Sequence, residues 1–363
     1  IKYKIRSVNP TAYEGSISFF NYHNDAFSTV YHRIRSEFQI IMSGLGFYFD
    51  EVVMISNTHG NLHRGDARMI RFSEEAIRGL PAFVVGSGPS LDHDIEWIKN
   101  NEDKAVIFSS GSAIMPLLKA GIQPDFHIEL ENVPELAPML EDTCKHVDIS
   151  KTHLLTTTTI DCRVPGFFDQ TSYFFRPAMS SYPIYAREKD EPLHNASPSV
   201  ANASLALAQY FGFREIYLLG TDMGTKNQGL AHSKAAWQNT EEGFEPGHTF
   251  DFPVRGNFGG TVYAYPDLNW IRDEIEIAIK SFKLGRQYFN CSDGAYIKGT
   301  TAKNTRAIKL QVPSRPRAEE GQKIIYTFQP SPKSDLDNKW NYAYMQGPSK
   351  YYFDIINAYF VSP

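Results

Sequence analysis

The chain has 363 residues, 42% hydrophobic and 21% charged, the balance of a globular protein with room for one large core and additions. With 36 Lys and Arg against 41 Asp and Glu, the net charge is −5 and no basic run stands out, which excludes the electrostatic footprint of a nucleic-acid binder. No stretch approaches the ~20 consecutive apolar residues that a membrane span requires.

Residues 1–77 carry short apolar runs between polar turns and are expected to form an N-terminal accessory region. Phe38-Gln39-Ile40-Ile41-Met42 is one plausible element, and Val52-Val53-Met54-Ile55 reads as a buried strand. From Pro81 the punctuation becomes regular. Ala82-Phe83-Val84-Val85 is a continuous apolar run, as in a strand covered on both faces. It is followed by Gly86-Ser87-Gly88-Pro89-Ser90 and a helical segment with Ile95 and Ile98. Ala105–Phe108, Phe126–Ile128 and His153–Thr156 read as further strands, with a short helix stopped by Gly121 between the first two. Val200, Ala203, Leu207 and Phe211 recur at helical spacing, and Gly212 stands where a left-handed C-cap belongs. Glu215–Leu219 is a strand ending in Gly220-Thr221-Asp222. A helix with Leu268, Ile271, Ile275 and Ile279 on one stripe follows Pro266, and Gln287–Asn290 is the last strand. Strands alternating with helices over residues 78–300 predict a Rossmann-like, mostly parallel sheet with helices on both faces. Beyond residue 300, repeated prolines break the periodicity, and residues 301–363 are expected to form a C-terminal extension that packs on the core.

Gly86-Ser87-Gly88-Pro89-Ser90 sits at a strand end before a helix, where open α/β sheets bind ligands. Two glycines would let the backbone approach a phosphate. Leu91 replaces the third glycine of the dinucleotide fingerprint and no P-loop Lys follows, which disfavours NAD binding and a Walker-type ATPase. Ser109-Ser110-Gly111-Ser112 repeats the small, hydroxyl-bearing design at the next strand end. Glu129 and Glu131, with Asp125 before them, resemble the acidic pair with which many glycosyltransferases hold Mg²⁺ or Mn²⁺, although solvated carboxylates at a strand end fit as well. His232, in Ala231-His232-Ser233-Lys234, has the best context among the histidines for a general base. Cys144, Cys162 and Cys291 are widely spaced, so neither a disulfide framework nor a zinc site is indicated and a reducing cytoplasm is expected. The chain begins at Ile1-Lys2-Tyr3-Lys4 without a Met or a signal-peptide core, and is expected to be part of something longer.

Together, Gly86–Ser90, Gly121-Ile122-Gln123-Pro124-Asp125-Phe126, Gly220-Thr221-Asp222-Met223 and Ala231-His232 resemble the motility-associated factor (Maf) flagellin glycosyltransferases over residues 78–300. The same order of motifs, with Ser197-Pro198-Ser199 and His232-Ser233-Lys234, is similar to that of bacterial sialyltransferases. The resemblance implies inverting transfer of a nonulosonic acid, pseudaminic or legionaminic, from a CMP-linked donor to Ser or Thr of flagellin. It implies donor contacts at Gly86, Ser87, Gly88, Pro89, Ser90, Ser110, Gly111, Ser197, Ser199 and Gly220, with His232 as base and Asp222 beside it. Thr225 and Lys226 stand where sialyltransferases carry tyrosines, so the group that stabilises the leaving phosphate is unassigned. No cofactor is certain. The sialyltransferases work without metal, so a metal at Asp125, Glu129 and Glu131 would be a difference from them. Two other readings compete: a pterin diphosphokinase using ATP and Mg²⁺, since a related archaeal family shares the Gly-Ser-Gly-Pro-Ser loop, and a non-catalytic flagellin-binding protein.

Overall fold

A computed structural model describes residues 48–64, 67–72, 79–331 and 337, excepting 178, 188–189, 228–229, 244–246, 248, 283–284, 314–315 and 327. The Phe38–Met42 run and the aromatic residues from Tyr342 onward lie outside the described residues. The chain divides into two compact units, Ile1–Val52 and Val53–Pro363.

The second unit is organised by a ten-stranded sheet. Its strands are β1 (Ala67–Met69), β2 (Ala82–Val85), β3 (Val106–Ser110), β4 (Phe126–Glu129), β5 (His153–Thr157), β6 (Thr171–Phe174), β7 (Glu215–Leu219), β10 (Gln287–Asn290), β11 (Thr301–Ala302) and β12 (Gln329–Ser331), with β8 (Phe252–Arg255) and β9 (Thr261–Ala264) forming a separate antiparallel hairpin. The spatial order is β11-β10-β7-β2-β3-β4-β5-β6-β1-β12, parallel throughout except where β12 runs against β1. From β2 the chain steps outward through β3, β4, β5 and β6, then returns to place β7 on the other flank of β2. The β2/β7 boundary is therefore the point where winding reverses, and a crevice opens there outside the carboxyl ends of the strands.

The strand cores follow from their sequences. Ala82–Val85 and Val106–Ser110 are buried along their whole length, which requires apolar layers on both faces. On one face α6 (Val200–Tyr210) lies under β2, β3 and β4; its run of Ala and Leu is buried almost all round. On the other, α2 (Leu91–Lys99) and α3 (Ile114–Lys119) cover Phe83, Val85 and Ile107. The remaining helices are α1 (Tyr48–His63), α4 (Leu136–His146), α5 (Ser181–Tyr185), α7 (Pro266–Ser281) and α8 (Arg317–Tyr326). No helix among the described residues is long and apolar enough to cross a membrane.

Two expectations change. Val52–Ile55 is not a strand but the middle of α1. Its buried positions, Ile55, Thr58, Asn61 and Leu62, recur at helical spacing, and Asp50 and Glu51 in the first turn favour a helix N-terminus. The sheet also runs past residues 78–300 at both ends, because β1 pairs with β6 and β12 closes β1. Those flanks build the sheet edge. After residue 300, Arg317 of α8 clamps Asp125 at 2.7–2.8 Å and also donates to the carbonyls of Glu102 and Gln123.

Candidate functional site

The crevice at the β2/β7 boundary is a pocket of about 200 Å³. Gly86, Ser87 and Gly88 come to it from the end of β2, Ser110 from β3, Ser199 to Ala201 from the start of α6, and Gly220 to Thr225 from the end of β7. Ala231, His232, Phe250 and Leu268 complete the lining. Five separately predicted motifs thus meet in one cavity. Pro89, Ser90, Gly111 and Ser197, also expected at the donor, do not line it.

The glycines also serve the packing of the two loops. The Gly86 amide donates to the Leu219 carbonyl and the Gly88 amide to the Gly220 carbonyl, both at 2.8 Å. A Cβ on Gly86 would sit 2.6 Å from the Gly220 oxygen, and one on Gly88 would overlap the Asp222 carboxylate. Gly220 itself has φ +59°, a left-handed conformation that suits glycine. These residues press the β2 and β7 loops together while lining the pocket. At the following helix, α2, the amides of Leu91, Asp92 and His93 are spent on Gly88, Pro89 and Ser90, while Asp92 and Asp94 place negative charge in its first turn.

A second helix, α6, also opens on the pocket, with its Asn202 amide taken by the Ser199 side chain in a capping box. Its Ser199, Val200 and Ala201 face the pocket, and the first amides of a helix have no intrahelical acceptor. Asn202 Oδ1 accepts from both the Ser199 amide (3.2 Å) and hydroxyl (2.7 Å), which fixes the entry to the helix. Ser110 bonds the Ser204 hydroxyl at 2.7 Å, tying β3 to α6, and Ser112 donates to Ser87 Oγ at 2.8 Å. Ser110 and Ser199 are therefore braced as well as pocket-lining.

Asp222 is the buried charge of the site. Its Oδ2 accepts from the Ser90 hydroxyl (2.9 Å) and amide (3.3 Å), so Ser90 acts on the pocket through Asp222. Burial pushes its carboxyl up to about 7, helped by the charges of Asp293 and Asp94 and opposed by the Ser90 bonds. Such a group is poised to hold or release a proton near neutrality. His232 is half-buried and lines the same pocket, in a segment whose next residue, Ser233, donates its amide to the Ser87 carbonyl at 2.7 Å.

Of the three carboxylates expected to bind metal, Asp125 stands apart from Glu129 and Glu131. Asp125 precedes β4 and lies at the opposite, amino edge of the sheet, committed to Arg317 and to the Ile107 amide. It belongs to a larger cleft of about 430 Å³ that contains none of the strand-end loops. Glu129 is buried and meets His127 Nε2 at 3.2 Å, with the His127 ring stacked on Phe168. Glu131, just beyond the strand, has its carboxyl raised by desolvation and then by the Glu129 charge, against Arg176. Among the described residues, three ligand-type groups converge only at Asp142, His146 and Glu242.

Fold and pocket define the class: a doubly wound α/β protein with its cleft at the switch point. Residues 56–228 match the family described as 6-hydroxymethylpterin diphosphokinase MptE-like. The structure of MAf glycosyltransferase from Magnetospirillum magneticum AMB-1 is similar at TM-score 0.76 and 32% identity, over 88% of this chain and 48% of that one. The chain spans about half the length of that protein. No curated protein matches. In sequence and fold the chain is similar to that Maf glycosyltransferase.

Proposed function

We propose that this chain is a glycosyltransferase that takes a nonulosonic acid from a CMP-linked donor and places it on a Ser or Thr hydroxyl of flagellin, with inversion. The reading rests on one observation above all: a switch-point pocket lined together by the start of α6, Asp222 and His232. The CMP phosphate takes the α6 amides, where backbone dipoles favour negative charge. The acceptor oxygen attacks the anomeric carbon, and the carbon–oxygen bond to phosphate breaks with its electron pair left on CMP. The acceptor proton passes to a ring nitrogen of His232. Asp222, with its carboxyl near neutrality, is the second group able to hold a proton there. Three unpaired cysteines support action in a reducing cytoplasm.

General-base help is worth about 10² to 10⁴ in rate. His232→Ala is expected to lose flagellin modification by that range, read by intact mass, while CMP binding stays within about twofold. Wild-type modification by the variant would remove His232 from the mechanism. The diphosphokinase reading is favoured by the match over residues 56–228. Thermal protection by ATP with Mg²⁺ and none by CMP would establish it instead.

A further inference from the structure

His232 lies in irregular chain between β7 and β8, so tertiary bonds must set where its ring stands. The bonds of its neighbours converge on one side chain. Asp92, half-buried in the first turn of α2, accepts from the Ser233 hydroxyl at 2.5 Å, and both its oxygens accept from the Lys234 amide at 3.2 Å. Ser233 is buried, and its carbonyl in turn receives Asn239 Nδ2 at 2.9 Å and the Ala236 amide at 3.0 Å. Asp92 thus acts as a cap supplied from outside to the turn that begins at Ser233. A second tie, from Trp237 Nε1 to Asp142 Oδ2 at 2.9 Å, holds the far end of the segment. A carboxylate suits the near end because its two acceptor-only oxygens serve several donors without offering a competing proton. The same short stretch therefore controls both titratable groups of the pocket: Ser90 fixes Asp222, and two residues later Asp92 fixes the neighbours of His232.

We propose that Asp92 is a positioning residue for glycosyl transfer: it holds the 231–236 turn so that His232 meets the acceptor hydroxyl. The proposal rests on the reading of His232 as base. Misplacement of a reacting group by about 1 Å can cost on the order of 10²-fold in rate. Asp92→Ala is therefore expected to lower kcat by about 10- to 100-fold, with the donor KM and the Kd for CMP within about twofold. Ser233→Ala, which removes one donor and leaves the helix charge untouched, should show the same split more weakly.

The experiment is a cycle of Asp92→Ala and His232→Ala in the full chain, with turnover, CMP binding and amide hydrogen exchange measured on each protein. Faster exchange at Lys234 in Asp92→Ala, a fall in kcat alone, and a further loss of less than about twofold in the His232→Ala background are expected if Asp92 works through His232. Faster exchange at Lys234 with unchanged kcat would overturn the positioning role and leave the base assignment standing. Equal losses in both backgrounds would also overturn it, marking Asp92 as a general support of the fold. If His232→Ala modifies flagellin normally, the base reading itself fails, whatever Asp92 does. Should Asp92→Ala not fold, the same measurements on Ser233→Ala decide: a kcat loss that vanishes in the His232→Ala background supports the proposal, and an unchanged kcat overturns it.

Discussion

At the level of single residues, the site is built from groups whose hydrogen bonds are largely spent inside the protein. Asp222 shows what this costs. Its carboxyl is raised to about 7 mainly by burial, so the folded protein binds that proton more tightly than the unfolded chain does. The resulting stability is fully present below the carboxyl's ordinary value of 3.8 and is lost as pH rises towards 7. Asp222→Asn keeps an oxygen for Ser90 and cannot ionise. Its melting temperature relative to wild type is expected to climb between about pH 4 and pH 7 and level off above, by on the order of 5 °C. A difference that is flat with pH would show that the Asp222 carboxyl is not raised.

At the level of elements, the proposed phosphate site is α6 and not the glycine loop that stands out in the sequence. Gly-Ser-Gly followed by a helix suggests a phosphate cradle, but only coordinates reveal that the Gly86 and Gly88 amides already have acceptors and that α2 opens with two acidic residues. If α6 holds the phosphate, an added negative charge at its start must repel the ligand while suiting the helix. Val200→Asp is expected to weaken CMP binding about tenfold or more, since the same charge contributes about 0.3–1 kcal/mol favourably to an empty helix end. Unchanged affinity by titration calorimetry would move the phosphate elsewhere. The central strands and α6 were legible because continuous apolar runs and helical spacing are strong local signals. The two-residue β11 and the three-residue β1 and β12 were not, since they exist only through pairing with distant chain. Val52–Ile55 misled because a short β-branched run looks the same in a strand and on the buried side of a helix. Asp92 carried no signal at all; its role appears only when residues 233 and 234 arrive beside it.

At the level of the whole molecule, the sheet separates its two edges by chemistry. The carboxyl edge gathers the pocket, while the amino edge spends Asp125 on holding α8. Because none of Asp125, Glu129 and Glu131 lines the pocket, CMP affinity is expected to be the same within about twofold with and without EDTA, measured calorimetrically on the intact chain. A loss of affinity on chelation would restore a metal to the donor site. Every residue lining the pocket falls between Gly86 and Leu268, although the sheet itself draws strands from both flanks of that stretch. If the pocket holds the donor as proposed, replacing the chain before β2 and after β11 by foreign flanks that rebuild the sheet edges would leave the nucleotide preference where it was, because no residue of the binding surface would have been exchanged.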